Sequence, residues 1–280
     1  MVRPCVRLVC RLVRRPVSTP AGTRAGQPGR PLQVVNRPAL VAGGRPAPWE
    51  DLAADGRQGL TLAAVVASLE DRGHGGPGPA WVAAGQAGAL HEVRPQSAAA
   101  NQAVPGALAP RRSSVLVALF EEEGEARILL TRRAATLRSH RSEVSFPGGR
   151  CEPHETPWEA ALREAAEEVG LDRASASSVG WLHPVTTRVS NSLIVPLVAA
   201  LPGRPECSPN PAEAARVFDV SLAELVAEGV FHEEVWTVPP AADSGGVAPS
   251  FPVYFFELAG ELVWGATARI LYELLTLAVR

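Results

Sequence analysis

The stretch "REAAEEVG", residues 163–170, sets Glu164, Glu167 and Glu168 within five residues of one another, directly after Arg163. Like charges three and four residues apart on a helix repel, so either this is a solvated face or something positive sits there. The helix that would carry it is well marked. Thr156 can cap, Pro157 suits the first turn and Glu159 can reach back to complete a capping box. Gly170 supplies a stop, which predicts a helix over 157–169. At about 100° per residue, Trp158, Ala161, Leu162, Ala165 and Val169 form a buried stripe, with the three glutamates on an adjoining ridge. Arg163 falls on the far side of Glu167, where it can pair at i,i+4. Three converging carboxylates also suit a hard divalent cation, since magnesium takes oxygen ligands and keeps positions open for a phosphate. Periodicity alone leaves both readings open.

Working outward, residues 149–171 read "GRCEPHETPWEAALREAAEEVGL". This resembles the Nudix box: Gly, five residues, Glu, seven residues, then Arg-Glu-apolar-x-Glu-Glu-x-Gly-apolar. Gly149, Glu155, Arg163, Glu164, Glu167, Glu168, Gly170 and Leu171 all fall in register, and Ala165 is smaller than the usual branched aliphatic residue. The resemblance implies an α/β fold, a Nudix α/β/α sandwich around a mixed sheet. It also implies hydrolysis of a nucleoside diphosphate linked to another group, with Mg²⁺ or Mn²⁺ as cofactor. By the same resemblance Glu164, Glu167, Glu168 and the backbone carbonyl of Gly149 are metal ligands, and Glu155 and Arg163 brace the loop against the helix. The general base is a box glutamate or an acid from a later loop. Glu213, in "NPAEAARVF", is a candidate, and an ordinary exposed glutamate is the competing reading.

The segment before the box, "LLTRRAATLRSHRSEVSFPGG" (129–149), resembles the upstream motif of coenzyme A diphosphatases within that family. Leu129, Leu130, Thr131, Arg133, Ala134, Arg138, Phe146, Pro147, Gly148 and Gly149 match it, and Ser142 stands where the pattern has glycine. If that position needs a positive φ, serine strains the loop. Arg133, Arg138 and Arg141 are candidate phosphate-binding groups, because guanidinium recognises phosphate through paired hydrogen bonds; pairing with nearby glutamates is the alternative. The resemblance implies coenzyme A or a derivative as the small-molecule substrate. Rival readings are a Nudix hydrolase of another diphosphate (ADP-ribose, NADH, a nucleotide sugar) and a nucleotide-sensing Nudix domain that does not cleave.

Organisation follows from composition. The chain has 280 residues and a formal net charge of −2, without the excess that wholesale nucleic-acid binding requires. It contains no lysine. Nine arginines and no acid fall within residues 1–49, leaving 18 arginines against 29 acids from Glu50 onward. Residues 1–49 read as a basic, disordered arm, with RNA or an acidic partner as a minor expectation. Residues 50–112 read as a Gly/Pro/Ala-rich lead-in with one short helix near 58–70. Ser113 to the C-terminus reads as the Nudix domain. There "SSVLVALF" and "ARILLTR", separated by "EEEGE", predict a hairpin with a glycine-containing turn. Further strands are expected at 178–185, 190–201, 233–238 and 251–258, and helices at 221–229 and 265–279.

Other residues carry plainer readings. Cys5, Cys10, Cys151 and Cys207 form no CxxC pair, so they support neither a disulfide framework nor a zinc site. His140 and His154 each lack a second imidazole at ligand spacing. Trp158 reads as a core anchor and Trp264 as packing the last helix. No apolar run is long enough to span a bilayer. Arginines interrupt the apolar N-terminal segment, so a cytoplasmic location is expected, or a mitochondrial one if the source is eukaryotic. A homodimer is a further expectation.

Overall fold

In the computed structural model the described residues are 33, 35–51, 59–76, 111–187, 192–238 and 248–279. The targeting and RNA-contact readings of the extreme N-terminus, with Cys5 and Cys10, lie outside them, as does the lead-in over 77–110.

The central hairpin joins β2 (Arg111–Glu122) to β3 (Glu125–Arg133), with Glu122 opposite Glu125. Its two-residue turn places Glu123 at φ 54° and Gly124 at φ 80°, as a type I′ turn requires at both central positions. β3 also pairs with β4 (Val144–Ser145) and β9 (Ala214–Ser221). β2 pairs with β5 (Gly148–Arg150), and runs parallel to β8 (Ser192–Ala200) from Arg111↔Ser192 to Leu119↔Ala200. β6 (Ser177–Trp181) and β7 (Val185–Thr187) flank β8. The result is a mixed eight-stranded sheet.

β2 explains the layers. Leu116, Ala118 and Phe120 pack on one face with Ala161, Ala165 and Val169 of α2 (Pro157–Val169). Val117 and Leu119 join the other core, with Leu69 of α1 (Leu62–Asp71) and Leu271 and Leu274 of α4 (Gly265–Ala278). A strand covered on both faces reads as an unbroken apolar run rather than an alternation. The α/β/α sandwich is thus present. A second, antiparallel sheet orders β1 (Leu40–Gly43), β10 (Phe231–Thr237), β11 (Ser250–Leu258) and β12 (Glu261–Trp264).

Several expectations change. Residues 40–43, assigned to a structureless arm, form the edge strand β1 paired with β10. The core also reaches back before Ser113: Trp49, Leu60, Val65 and Leu69 are buried with the residues of β2, β3 and α4. The Trp49 ring lies 5.2 Å from Phe231, 5.8 Å from Tyr272 and 6.3 Å from Phe256. Trp49 stands alone in a Gly/Pro/Ala background, and Leu60, Val65 and Leu69 fall in the short helix expected near 58–70, whose packing against the sheet no local pattern announces. The helix expected at 221–229 is a single turn, α3 (Leu222–Leu225). Trp264 precedes α4 and stacks on Phe255 at 6.4 Å, in the second sheet's own core, rather than packing the last helix. No described helix is long and apolar enough to cross a membrane.

Candidate active site

The ends of α2 are fixed as its sequence demands. The Glu159 amide donates to Thr156 Oγ1 at 3.2 Å, the Thr156 amide donates to Glu159 Oε2 at 2.9 Å, and Gly170 closes the helix at φ 70°. The apolar stripe anchors the helix on the sheet, with Trp158 and Leu162 partly buried at its margin. The carboxylate-bearing face is thereby held over β5 and the end of β3.

Arg163 is the hub of this face. It donates from Nε and Nη2 to the two oxygens of Glu155, at 2.9 and 3.0 Å. From Nη1 it reaches Glu164 Oε1 at 3.0 Å and Glu167 Oε2 at 3.1 Å, and from Nη2 the Arg150 carbonyl at 3.0 Å. Glu155 also accepts from the Glu152 amide at 2.9 Å. The Arg163 hydrogen bond holds the Glu155 carboxyl below its usual range. The i,i+4 pairing with Glu167 is one of five contacts. Glu155 is the stronger partner, a bidentate one.

Glu164 and Glu168 face inward. A Cβ built on Gly149 would sit 2.4–2.5 Å from the Glu164 carboxylate atoms, so the glycine leaves room for that group. Burial raises the Glu164 carboxyl, against the pull of Arg163. Glu168, expected on the ridge beside the buried stripe, is only 6% exposed. Its Oε2 accepts from the Gly148 amide at 3.1 Å, and its Oε1 lies 3.7 Å from Arg133 Nη1. Burial pushes its carboxyl up to about 7, with the charges of Glu164 and Glu213 adding to the effect.

Glu213 is half-buried, in the loop entering β9. Its carbonyl accepts from the Ala134 amide at 2.8 Å, which fastens that loop to the end of β3. Its charge raises both Glu164 and Glu168. Arg133 is brought to the same place. Arg138 and Arg141 are exposed, and Arg141 Nε donates to the Leu137 carbonyl at 2.5 Å. Ser142 takes φ 57°, so the position where the motif has glycine does use the left-handed region. His140 pairs with Glu143 at 2.8 Å. Burial pushes the Cys151 thiol up, so it is not an activated nucleophile.

The sequence reading missed an open cleft of about 770 Å³ beside the helix, lined in part by Arg111, Arg112, Arg150 and Cys151 together with Arg163 and Glu164. Antiparallel pairing of β2 with β5 sets Ser113 opposite Arg150 and so gathers these arginines. They come from two separate segments, and no spacing in the sequence announces their meeting. The guanidinium groups suit a polyanionic ligand.

The residues fit a divalent cation by donor chemistry. Three carboxylates lie on one helix face, and the glycine beside Glu164 leaves space that any side chain would fill. Arg133 Nε is buried and lacks a hydrogen-bond partner beside this acidic group. Glu164 and Glu167 turn to Arg163. Among the described residues, the one set of three His, Cys, Asp or Glu residues with ligand atoms within 4.8 Å of one another lies elsewhere, at His74, His183 and Glu273.

Comparison with known proteins accords with this geometry. The NUDIX domain pattern matches residues 110–237. The chain is 37% identical over 148 residues to an uncharacterized Nudix hydrolase, NudL, of Photorhabdus laumondii, covering 52% of this chain and 74% of that one. It is 33% identical over 173 residues to Nudix hydrolase 3 of Caenorhabditis elegans, covering 59% and 72%. It is also 33% identical over 177 residues to Nudix hydrolase 22, chloroplastic, of Arabidopsis thaliana, covering 60% of this chain and 55% of that one. The chain belongs to the Nudix family, and is a hydrolase of diphosphate-containing compounds. Nudix hydrolases generally use divalent metal ions.

Proposed function

We propose that the chain hydrolyses the diphosphate of coenzyme A, or of its acylated or oxidised forms, to 3′,5′-ADP and 4′-phosphopantetheine or its derivative. The observation that carries this reading is Ser142 at φ 57°. Ser142 stands where the coenzyme A motif has glycine and takes the left-handed region that glycine favours, which supports reading residues 129–149 as that motif.

Glu164, Glu167, Glu168 and the Gly149 carbonyl would hold Mg²⁺ or Mn²⁺, which when bound neutralises the diphosphate and acidifies a coordinated water. Arg163 keeps the loop before α2 in place through Glu155 and the Arg150 carbonyl. Arg133, whose side chain is partly exposed beside Glu168, would meet a phosphate oxygen with its guanidinium. A box glutamate, or Glu213 from the half-buried loop entering β9, would take the proton of the attacking water at its carboxylate. Arg138 and Arg141, exposed on the loop, would meet the 3′-phosphate. In-line attack at phosphorus then rests on positioning and charge neutralisation.

The test is purified protein with coenzyme A and Mg²⁺ or Mn²⁺, products identified by mass, beside ADP-ribose, NADH and a nucleotide sugar. Coenzyme A should give the highest kcat/KM, and replacing it with the form lacking the 3′-phosphate should raise KM. A higher kcat/KM on any of the other three overturns the substrate assignment, and no cleavage of any of them overturns turnover itself.

A further inference from the structure

We infer that His74, His183 and Glu273 form a second metal site, selective for a borderline transition ion of the zinc class, on the side of the central sheet opposite α2. The three residues come from three segments: His74 follows α1, His183 lies between β6 and β7, and Glu273 is on α4. Each can offer one ligand atom, and these atoms lie within 4.8 Å of one another.

The surroundings orient the donors. His74 is buried, at 7% exposure. Its amide donates to the Leu69 carbonyl at 2.7 Å, and its own carbonyl accepts from the Trp181 amide at 2.9 Å. Its Nδ1 stands 2.9 Å from the Trp181 carbonyl. A carbonyl only accepts, so Nδ1 carries the hydrogen and Nε2 of the neutral ring carries the lone pair. A ring nitrogen tied to a backbone carbonyl, leaving its opposite nitrogen basic, is the usual setting of a metal-bound histidine. The rings of His74 and His183 stand edge to face, with centroids 4.9 Å apart. Glu273 Oε1 accepts from the His183 amide at 2.9 Å and lies 2.7 Å from His183 Nδ1.

Chemistry separates this site from the acidic helix. Two imidazoles and one carboxylate favour zinc, cobalt, nickel or copper over magnesium. Three such ligands with an open fourth position are a common zinc arrangement. Zn–N bonds of about 2 Å at tetrahedral angles put ligand atoms about 3.3 Å apart, so side-chain adjustments on the order of 1 Å close the set. A bound ion would tie the end of α1 to α4 and to the β6–β7 connection.

The experiment uses the full chain, stripped with chelator and returned to excess Mg²⁺ so that the carboxylate helix is supplied. Zinc is titrated calorimetrically, and Co²⁺ is added separately for its visible d–d absorption. One equivalent of zinc should bind, raise Tm and give a tetrahedral cobalt spectrum. The Glu168→Gln variant should bind the same equivalent, which places the ion away from the acidic helix. His74→Gln and Glu273→Gln should each weaken binding by about 100-fold. Absence of a stoichiometric zinc event in the wild type overturns the site, as does unchanged affinity in Glu273→Gln. Should His74→Gln not fold, Glu273→Gln, at a partly buried position on α4, decides alone. The readout is metal binding, so it is independent of substrate identity.

Discussion

The Arg163 guanidinium faces the Glu155 carboxylate in a two-point grip, Nε to Oε1 at 2.9 Å and Nη2 to Oε2 at 3.0 Å. Both side chains are mostly buried. Through this pair the segment running from Gly149 in β5 to Glu155 is locked to α2, which carries the three glutamates. The grip also leaves Nη1 free to steady Glu164 and Glu167.

Arg163→Lys should therefore keep the charge and lose the geometry. An ammonium cannot span both oxygens of Glu155 while also reaching Glu164 and the Arg150 carbonyl. A stability loss of about 1–3 kcal/mol is expected from the missing charge-assisted hydrogen bonds, with kcat falling by about 10-fold or more as the loop loses its position. Urea denaturation and steady-state kinetics check the two effects separately.

Two adjacent glycines should respond differently to a methyl group. At Gly149 the clash is with the end of the Glu164 side chain, which can swing away. Gly149→Ala should fold, show a near-native Tm and lose activity by about 10-fold or more as a supporting carboxylate is displaced. At Gly148 the clash is with backbone, 2.4 Å from the Ser114 carbonyl oxygen, at φ 153°. Gly148→Ala should lower the yield of folded protein. Circular dichroism and activity on the pair discriminate, and equal behaviour would contradict the account.

Glu168 makes stability depend on pH. Its carboxyl rises from the ordinary 4.5 to about 7 on folding, mainly through burial. Between those values the unfolded chain has released a proton that the folded chain still holds, so stability falls as pH rises across the window and then levels off. In chelator, the wild type should lose on the order of 3 kcal/mol between about pH 4.5 and pH 7 relative to Glu168→Gln. Added divalent ion should restore much of this at high pH, where the carboxylate is ionised. Denaturation midpoints of both proteins at stepped pH measure it.

Leu69 tests whether the early helix is integral. It is fully buried at the end of α1, in the core shared with β2 and α4. Leu69→Ala should cost about 2–5 kcal/mol. A loss below about 0.5 kcal/mol, read by urea denaturation, would mean that α1 is peripheral.

Of the fold and the site, local signals were legible and meetings were not. The cap at Thr156, the stop at Gly170 and the turn at Glu123–Gly124 depend on a few consecutive residues, and the structure has each where the sequence puts it. The three box glutamates and Arg163 share a face because helical geometry fixes their relation. Glu168 could be placed on that face, but its burial could not, because covering it takes β5 and the end of β3. Arg111, Arg112 and Arg150 meet only through strand pairing. Trp49 and Leu69 matter only because α4 and the sheets pack against them. His74, His183 and Glu273 are separated by about a hundred residues at each step and share no motif.

Sequence alone thus determined the helix, its ends and the acidic chemistry written along one side, since these follow from backbone geometry within a few turns. Tertiary structure decided which of those acids leave water, which arginines join them and which distant imidazoles become neighbours. The physical reason is that burial and long-range contact depend on chain segments whose approach no local pattern encodes.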